Sequence, residues 1–155
     1  MKSTGNTPPI NIKNKDKWIN VERLRWAKLF NVPMAETLPS GFPPMTLALQ
    51  RCLAALEISH PEKMADVIEA LFKEFWEKGN AEISKVDVFK PVIAGVVGLD
   101  AAEDIVVRSG GKEAKARLQE NGEKALQTGA FGLPWFWCEN EKGEKEGVSC
   151  RSSFR

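Results

Sequence analysis

Along residues 64–76 the apolar positions Met64, Val67, Ile68, Leu71, Phe72, Phe75 and Trp76 fall at i, i+3 and i+4 spacing, the stripe of a helix that faces a core. The pattern predicts a helix here with Phe72 among its buried side chains, stopped by Lys78-Gly79. Shorter stretches on either side share the period. Asn20 suits an N-cap for a helix to about Phe30, with Val21, Leu24, Ala27 and the Leu29/Phe30 pair on one stripe, ended by Asn31 and Pro33. A Pro-rich linker, Pro33 to Pro44, separates it from a helix over Met45 to about Glu57, where Leu49, Cys52, Leu53 and Leu56 recur and His60-Pro61 closes the element. Further helices are expected at Ser84 to Val97, with Pro91 near the first turn or kinking it, and at Asp100 to Ser109, where Asp100 and Glu103 resemble a capping box. After Gly110-Gly111 a long polar helix runs from Lys112 to about Thr128.

Two segments break this pattern. Met1 to Lys17 has no hydrophobic period, only Pro8-Pro9, several Asn and scattered Lys, and reads as an extended loop. Pro134-Trp135-Phe136-Trp137-Cys138 is an aromatic run of strand length, and the charged stretch Glu139 to Gly147 turns it back into a short strand at Val148 to Cys150. The expected class is therefore mainly α, or α+β, with one hairpin. A lone two-stranded hairpin is marginal in water, so these strands must pack on helices or complete a larger sheet. The five Trp, at 18, 26, 76, 135 and 137, are spaced as core anchors rather than as a base-stacking surface.

Composition narrows the function without naming it. At 155 residues, 43% apolar and 28% charged, the chain has ordinary globular proportions and is long enough for one cooperative core. A net charge of +1 supplies no field to steer nucleic acid or an anionic membrane, and no window approaches the roughly 20 apolar residues of a span. Neither partner is expected, and the chain reads as intracellular. Cys52, Cys138 and Cys150 form an odd, scattered set with no CxxC pair, which reads as reduced thiols and no metal site. His60, ahead of Pro61 and Glu62, suits a surface or capping role. No phosphate-binding glycine loop, HExxH or GxSxG occurs.

The segment Gly129-Ala130-Phe131-Gly132-Leu133-Pro134 is distinctive, because a helix stop leads within a few residues into a strand whose first position is proline. Proline cannot donate to the ladder there. From the residues alone the Leu133-Pro134 bond is either a trans strand start or a cis step; the cis form would turn the Leu133 backbone away from normal pairing, toward an extended ligand. GAFGLP followed by an aromatic strand resembles the kappa-class glutathione transferases and their relatives, the DsbA-like oxidoreductases and the 2-hydroxychromene-2-carboxylate isomerases. So do Ser3-Thr4-Gly5-Asn6-Thr7-Pro8-Pro9, Leu29-Phe30-Asn31-Val32-Pro33, the stretch from Phe42-Pro43 through Ala54-Ala55, His60-Pro61-Glu62, and the helix ending at Phe75-Trp76 before Gly79.

The resemblance implies a thioredoxin-like domain interrupted by a helical insertion. Residues 1–20 would be a loop of the thioredoxin-like part, 21–110 the insertion domain, and 111–155 the C-terminal helix and β-hairpin of the thioredoxin-like part. It implies a homodimer that binds glutathione and a small electrophile, with Leu133 bonding the cysteinyl backbone of glutathione, Pro134 as a cis proline, and Asn6 and Lys15 contacting the tripeptide. Its mitochondrial and peroxisomal members do not choose a compartment for this chain. The family's activating serine lies in a segment that would precede Met1, and its aromatic-Trp-Gly-x-Asp motif has no counterpart in Glu146 to Arg155. Both ends thus read as shortened, catalytic residues are not assigned, and activity is expected to be weak or nil. Two alternatives accompany this reading: a non-enzymatic helical binding or dimerisation module, and a glutathione-dependent isomerase of the 2-hydroxychromene-2-carboxylate type.

Overall fold

The computed structural model describes residues 4–5 and 7–149. Six α-helices and one hairpin follow in order: α1 (Lys15–Leu29), α2 (Leu47–Ser59), α3 (Met64–Phe72), α4 (Val86–Val97), α5 (Leu99–Ser109), α6 (Lys112–Gln127), β1 (Trp135–Glu139) and β2 (Lys145–Ser149). The fold is mainly α with one small antiparallel sheet. Two compact units are present, one of residues 17–118 and one of residues 1–16 with 119–155, and they are taken separately.

The helical unit holds every buried hydrophobic side chain among the described residues, from Ala27 to Ala114. At its centre are Cys52 and Leu56 of α2, Val67 of α3, Phe89 and Ile93 of α4 and Ile105 of α5, all fully buried. Burying a side chain of the size of Leu, Ile or Phe contributes about 1.5–3 kcal/mol. Burial also pushes the Cys52 thiol up from its ordinary range, against a hydrogen bond with the Ser109 side chain. α1 starts five residues before the expected Asn20 cap, directly after Asn14, whose φ of 67° is left-handed. Asn20 instead accepts a hydrogen bond from Arg23 Nη2 at 2.7 Å on the helix surface. The helix closes as expected at Asn31, also left-handed at φ 53°, with the Val32 N–H bonding the Ala27 carbonyl at 2.8 Å.

Arg23 anchors the Pro-rich linker. Its guanidinium donates to the carbonyls of Ala35 and Glu36 at 2.8 and 3.2 Å and lies 5.8 Å from the centroid of the Trp76 ring. Trp76 in turn accepts the Ala35 N–H at its carbonyl, 2.7 Å away, and the Phe42-Pro43 peptide bond in this linker is cis.

The Met64 to Trp76 stripe is only partly inward. Val67, Leu71 and Phe75 are buried, but Phe72 is 58% exposed, against expectation. On an α-helix of 3.6 residues per turn, Val67, Leu71 and Phe75 define the stripe's axis and Phe72 lies about 100° from Leu71. The stripe was wider than the surface available to cover it. After Phe72 the backbone widens into a π-turn, Lys73–Glu77, with the Lys78 N–H bonding the Lys73 carbonyl at 3.0 Å. That turn lets the adjacent rings of Phe75 and Trp76 both reach Phe42, at 6.2 and 5.8 Å between centroids. Glu74 closes it: its carboxylate takes Lys78 Nζ at 2.5 Å and its carbonyl takes the Asn80 N–H at 3.0 Å.

Two smaller expectations also change. Gly98, at φ 90°, both ends α4 and caps α5. Asp100 therefore sits inside the first turn, and Glu103, instead of reaching back as in a capping box, pairs with Lys90 of α4. Pro91 lies well inside α4 rather than in its first turn, on the exposed side. The Asp87 carbonyl that loses its donor there can be hydrated. No Trp is fully buried: Trp18 and Trp137 are exposed and the other three are half-buried. The indole's size and its N–H favour such half-wet positions, as Trp18 shows by donating to Glu22 at 2.9 Å.

Phe75→Ala should cost about 3–5 kcal/mol and Phe72→Ala less than about 1 kcal/mol, as read from urea unfolding midpoints. The hydrogen bond from Lys78 holds the Glu74 carboxyl below the usual carboxylate range. A depressed carboxyl stabilises the fold above its unfolded pKa, and that contribution is lost as pH falls through the folded one. Glu74→Gln should therefore be less stable than the parent near neutral pH, and the gap should close as pH falls below about 4.3.

Candidate functional site

In the second unit the end of α6 delivers the chain to β1. Gly129, at φ 91°, terminates the helix while the Ala130 N–H bonds the Ala125 carbonyl at 3.0 Å, the closure that glycine permits at this position. Thr128 ties helix end to strand start. Its hydroxyl donates to the Ala125 carbonyl at 2.9 Å and accepts from Trp135 Nε1 at 3.0 Å. The Phe131 ring meets the Trp135 ring edge-on, 6.0 Å between centroids.

Leu133-Pro134 is cis, as the resemblance implied. The strand ladder begins one residue later, pairing Trp135 with Ser149, Phe136 with Val148, Trp137 with Gly147, Cys138 with Glu146 and Glu139 with Lys145. Leu133 thus stands outside the ladder and is 91% exposed. The Trp135 ring lies over Gly147, where a Cβ would come within 2.2 Å of the indole, so only glycine fits. The turn is built on Asn140: its side-chain oxygen accepts from the Lys142 and Glu144 N–H groups at 2.9 and 3.0 Å, and Gly143 takes the left-handed position. β1 and β2 both extend further toward the turn than expected, because Glu139 and Lys145 pair across it at 3.3 Å.

The four residues expected at a glutathione site fare differently. Leu133 and Pro134 form the exposed step described above. Lys15 is the exposed first residue of α1 in the same unit, and no hydrogen bond joins it to that step among the described residues. Asn6 lies outside the described residues. Cys138 is exposed on β1, on the ribbon face that carries Phe136 and Val148, while Ser149 shares the opposite face with Trp135. Cys150 lies outside the described residues. His60 ends α2 and precedes the turn Pro61–Lys63, its Nδ1 2.9 Å from Ser59 Oγ, a local end-of-helix contact. Among the described residues no three His, Cys, Asp or Glu side chains converge as metal ligands, and no helix is long and apolar enough to cross a membrane. Thr128 and Gly147 shape this region and were not singled out in the sequence. Only the strand register reveals that Gly147 lies beneath an indole.

α6 thus runs through a glycine stop and a cis-proline step into an antiparallel strand. Residues 1–149 match the family model of the DSBA-like thioredoxin domain, and the chain belongs to that family. Within it, the chain is similar to glutathione S-transferase kappa 1 of Rattus norvegicus, 26% identical over 86% of this chain and 61% of that protein. It is similar to glutathione S-transferase kappa 2 of Caenorhabditis elegans, 26% identical over 88% of this chain and 61% of that protein, and to kappa 1 of the same organism, 25% identical over 94% and 65%. The chain thus spans about three fifths of the length of the curated relatives it matches.

Gly147→Ala should push the Trp135 indole off Thr128 and destabilise the hairpin by about 1–3 kcal/mol. Trp fluorescence and the backbone amide resonances of 135–149 would report it; unchanged resonances would show that the strand absorbs the methyl.

Proposed function

We propose that this chain carries the cis-proline side of a glutathione-binding site and belongs to the glutathione-transferring branch of its family. The observation that carries the reading is the exposed Leu133, held outside the ladder at the entrance to β1. An extended tripeptide can pair with its backbone by strand addition, main-chain groups supplying affinity and neighbouring side chains orientation. Pro134 shapes the step, and Asn6 and Lys15 contact the tripeptide. The similarity to kappa-class transferases supports glutathione as the ligand and a small electrophile as its co-substrate.

The reaction is displacement or addition at the electrophile by the glutathione thiolate, the sulfur forming the new bond while the leaving group or the adjacent atom takes the electron pair. A free thiol near pKa 8.5 is mostly protonated at neutral pH, so the rate depends on groups that stabilise the thiolate. Within these 155 residues none matches the family's activating serine stretch. Removing one preorganised donor from such a site commonly costs about 10²–10³ in rate. The 155-residue chain is accordingly a weak binder and a poor catalyst, and its active form is a homodimer.

One observation favours a second reading: the helical unit alone holds all the buried side chains among the described residues. That self-contained core suits a non-enzymatic binding or dimerisation module. In the isomerase branch glutathione would serve as a cofactor rather than a consumed substrate, and activity assays separate the two.

Titration with millimolar glutathione, followed by backbone amide resonances, should move Gly132, Leu133 and Trp135 first. Conjugation of a chloronitrobenzene near pH 7 should run barely above the uncatalysed reaction. Absence of any shift around Leu133 would favour the module reading. Turnover like that of a full transferase would overturn the weak-catalyst reading and direct mutation to Cys138, Ser149 and Lys15.

A further inference from the structure

Gly132 and Leu133 make no main-chain hydrogen bond of their own among the described residues, and the ladder begins only at Trp135. The position of the Leu133 step is therefore set at its two ends, the close of α6 and the first residue of β1. A hydrogen bond joins those ends, from Trp135 Nε1 to Thr128 Oγ1 at 3.0 Å, across seven residues of chain. Chemistry fixes the role of each partner. An indole N–H only donates. The threonine hydroxyl has one proton, which goes to the Ala125 carbonyl at 2.9 Å, so its oxygen is left to accept.

The indole is held on two further sides. It lies over Gly147, where a Cβ would come within 2.2 Å, and the Phe131 ring meets it at 70°, 6.0 Å between centroids. A hydroxyl, a second ring and a bare glycine thus clasp one side chain, whose own backbone lies two residues after Leu133. All of these groups belong to the same compact unit.

We propose that Thr128 is a positioning residue of the glutathione site: its hydroxyl, acting through the Trp135 indole, holds the Leu133 backbone in the pose with which an extended tripeptide pairs. This rests on the glutathione reading for the ligand, whereas the tie itself is a property of the chain. A step held in place before binding removes an ordering penalty from the ligand's affinity. The hydroxyl is required, and not merely a side chain of threonine's size. Thr128→Val separates the two, because the isostere removes the acceptor for the indole while the Ala125 carbonyl still takes the Ala130 N–H at 3.0 Å, so the end of α6 stays closed.

In the full chain, titration with reduced glutathione followed by backbone amide resonances should give a Kd about three- to tenfold weaker for Thr128→Val, the usual net contribution of a neutral hydrogen bond. Thr128→Ser should bind like the parent. A purely structural threonine would lower the urea midpoint and leave Kd unchanged. Coupling is reciprocal: glutathione should slow exchange of the Trp135 indole proton in the parent by a similar factor, and not in Thr128→Val. Without ligand, the Gly132 and Leu133 amide signals should broaden or move in Thr128→Val and stay in place in Thr128→Ser. A parental Kd in Thr128→Val, or an equal loss in Thr128→Ser, would overturn the proposal. If glutathione moves no resonance at Leu133 in the parent, the glutathione reading fails, and the ligand-free amides alone then decide whether Thr128 holds the step.

Discussion

Hydrophobic burial is the term that must overcome chain entropy, and in this chain it is concentrated in residues 27–114. Leu56, Val67, Phe89, Ile93 and Ile105 are fully buried there, drawn from four helices. The other unit, among its described residues, has no buried side chain at all. Its order rests on local devices: Gly129 closing α6, the Thr128 hydroxyl bridging the helix end to Trp135, the indole over Gly147 and the Asn140 turn. Such contacts are each of modest strength.

What the sequence reveals follows the same division. Helix existence was readable wherever a stripe faced a core, because burial enforces the period; α2 to α6 all lie within a few residues of their expected places. Errors arose where packing, not pattern, decides. Phe72 belongs to the stripe by spacing, yet the covering surface ends at Leu71 and Phe75. Nothing in residues 73–77 announces a π-turn, since it is the ring cluster with Phe42, far off in sequence, that favours it. Asn20 is a good cap by residue type, yet the helix already begins at Lys15, directly after the left-handed Asn14.

The candidate site was legible in part because its residues are contiguous. GAFGLP spells helix stop, turn and strand start in one segment, so Leu133 and Pro134 could be located without knowing any tertiary contact. Lys15 depends on bringing a distant segment alongside, which one sequence does not encode in any local pattern. Thr128 and Gly147 were invisible for a further reason. A threonine at a helix end and a glycine in a strand are unremarkable by type, and their roles exist only once Trp135 has a direction.

The opening at Leu133 has a simple physical basis. A strand end presents backbone donors and acceptors that the ladder leaves unpaired. At Leu133 that opening is narrow, one residue before the ladder and preceded by a turn, which suits the tripeptide proposed for it better than a long partner. Pro134 bounds it, because a residue without an N–H interrupts continuous pairing from Leu133 into β1.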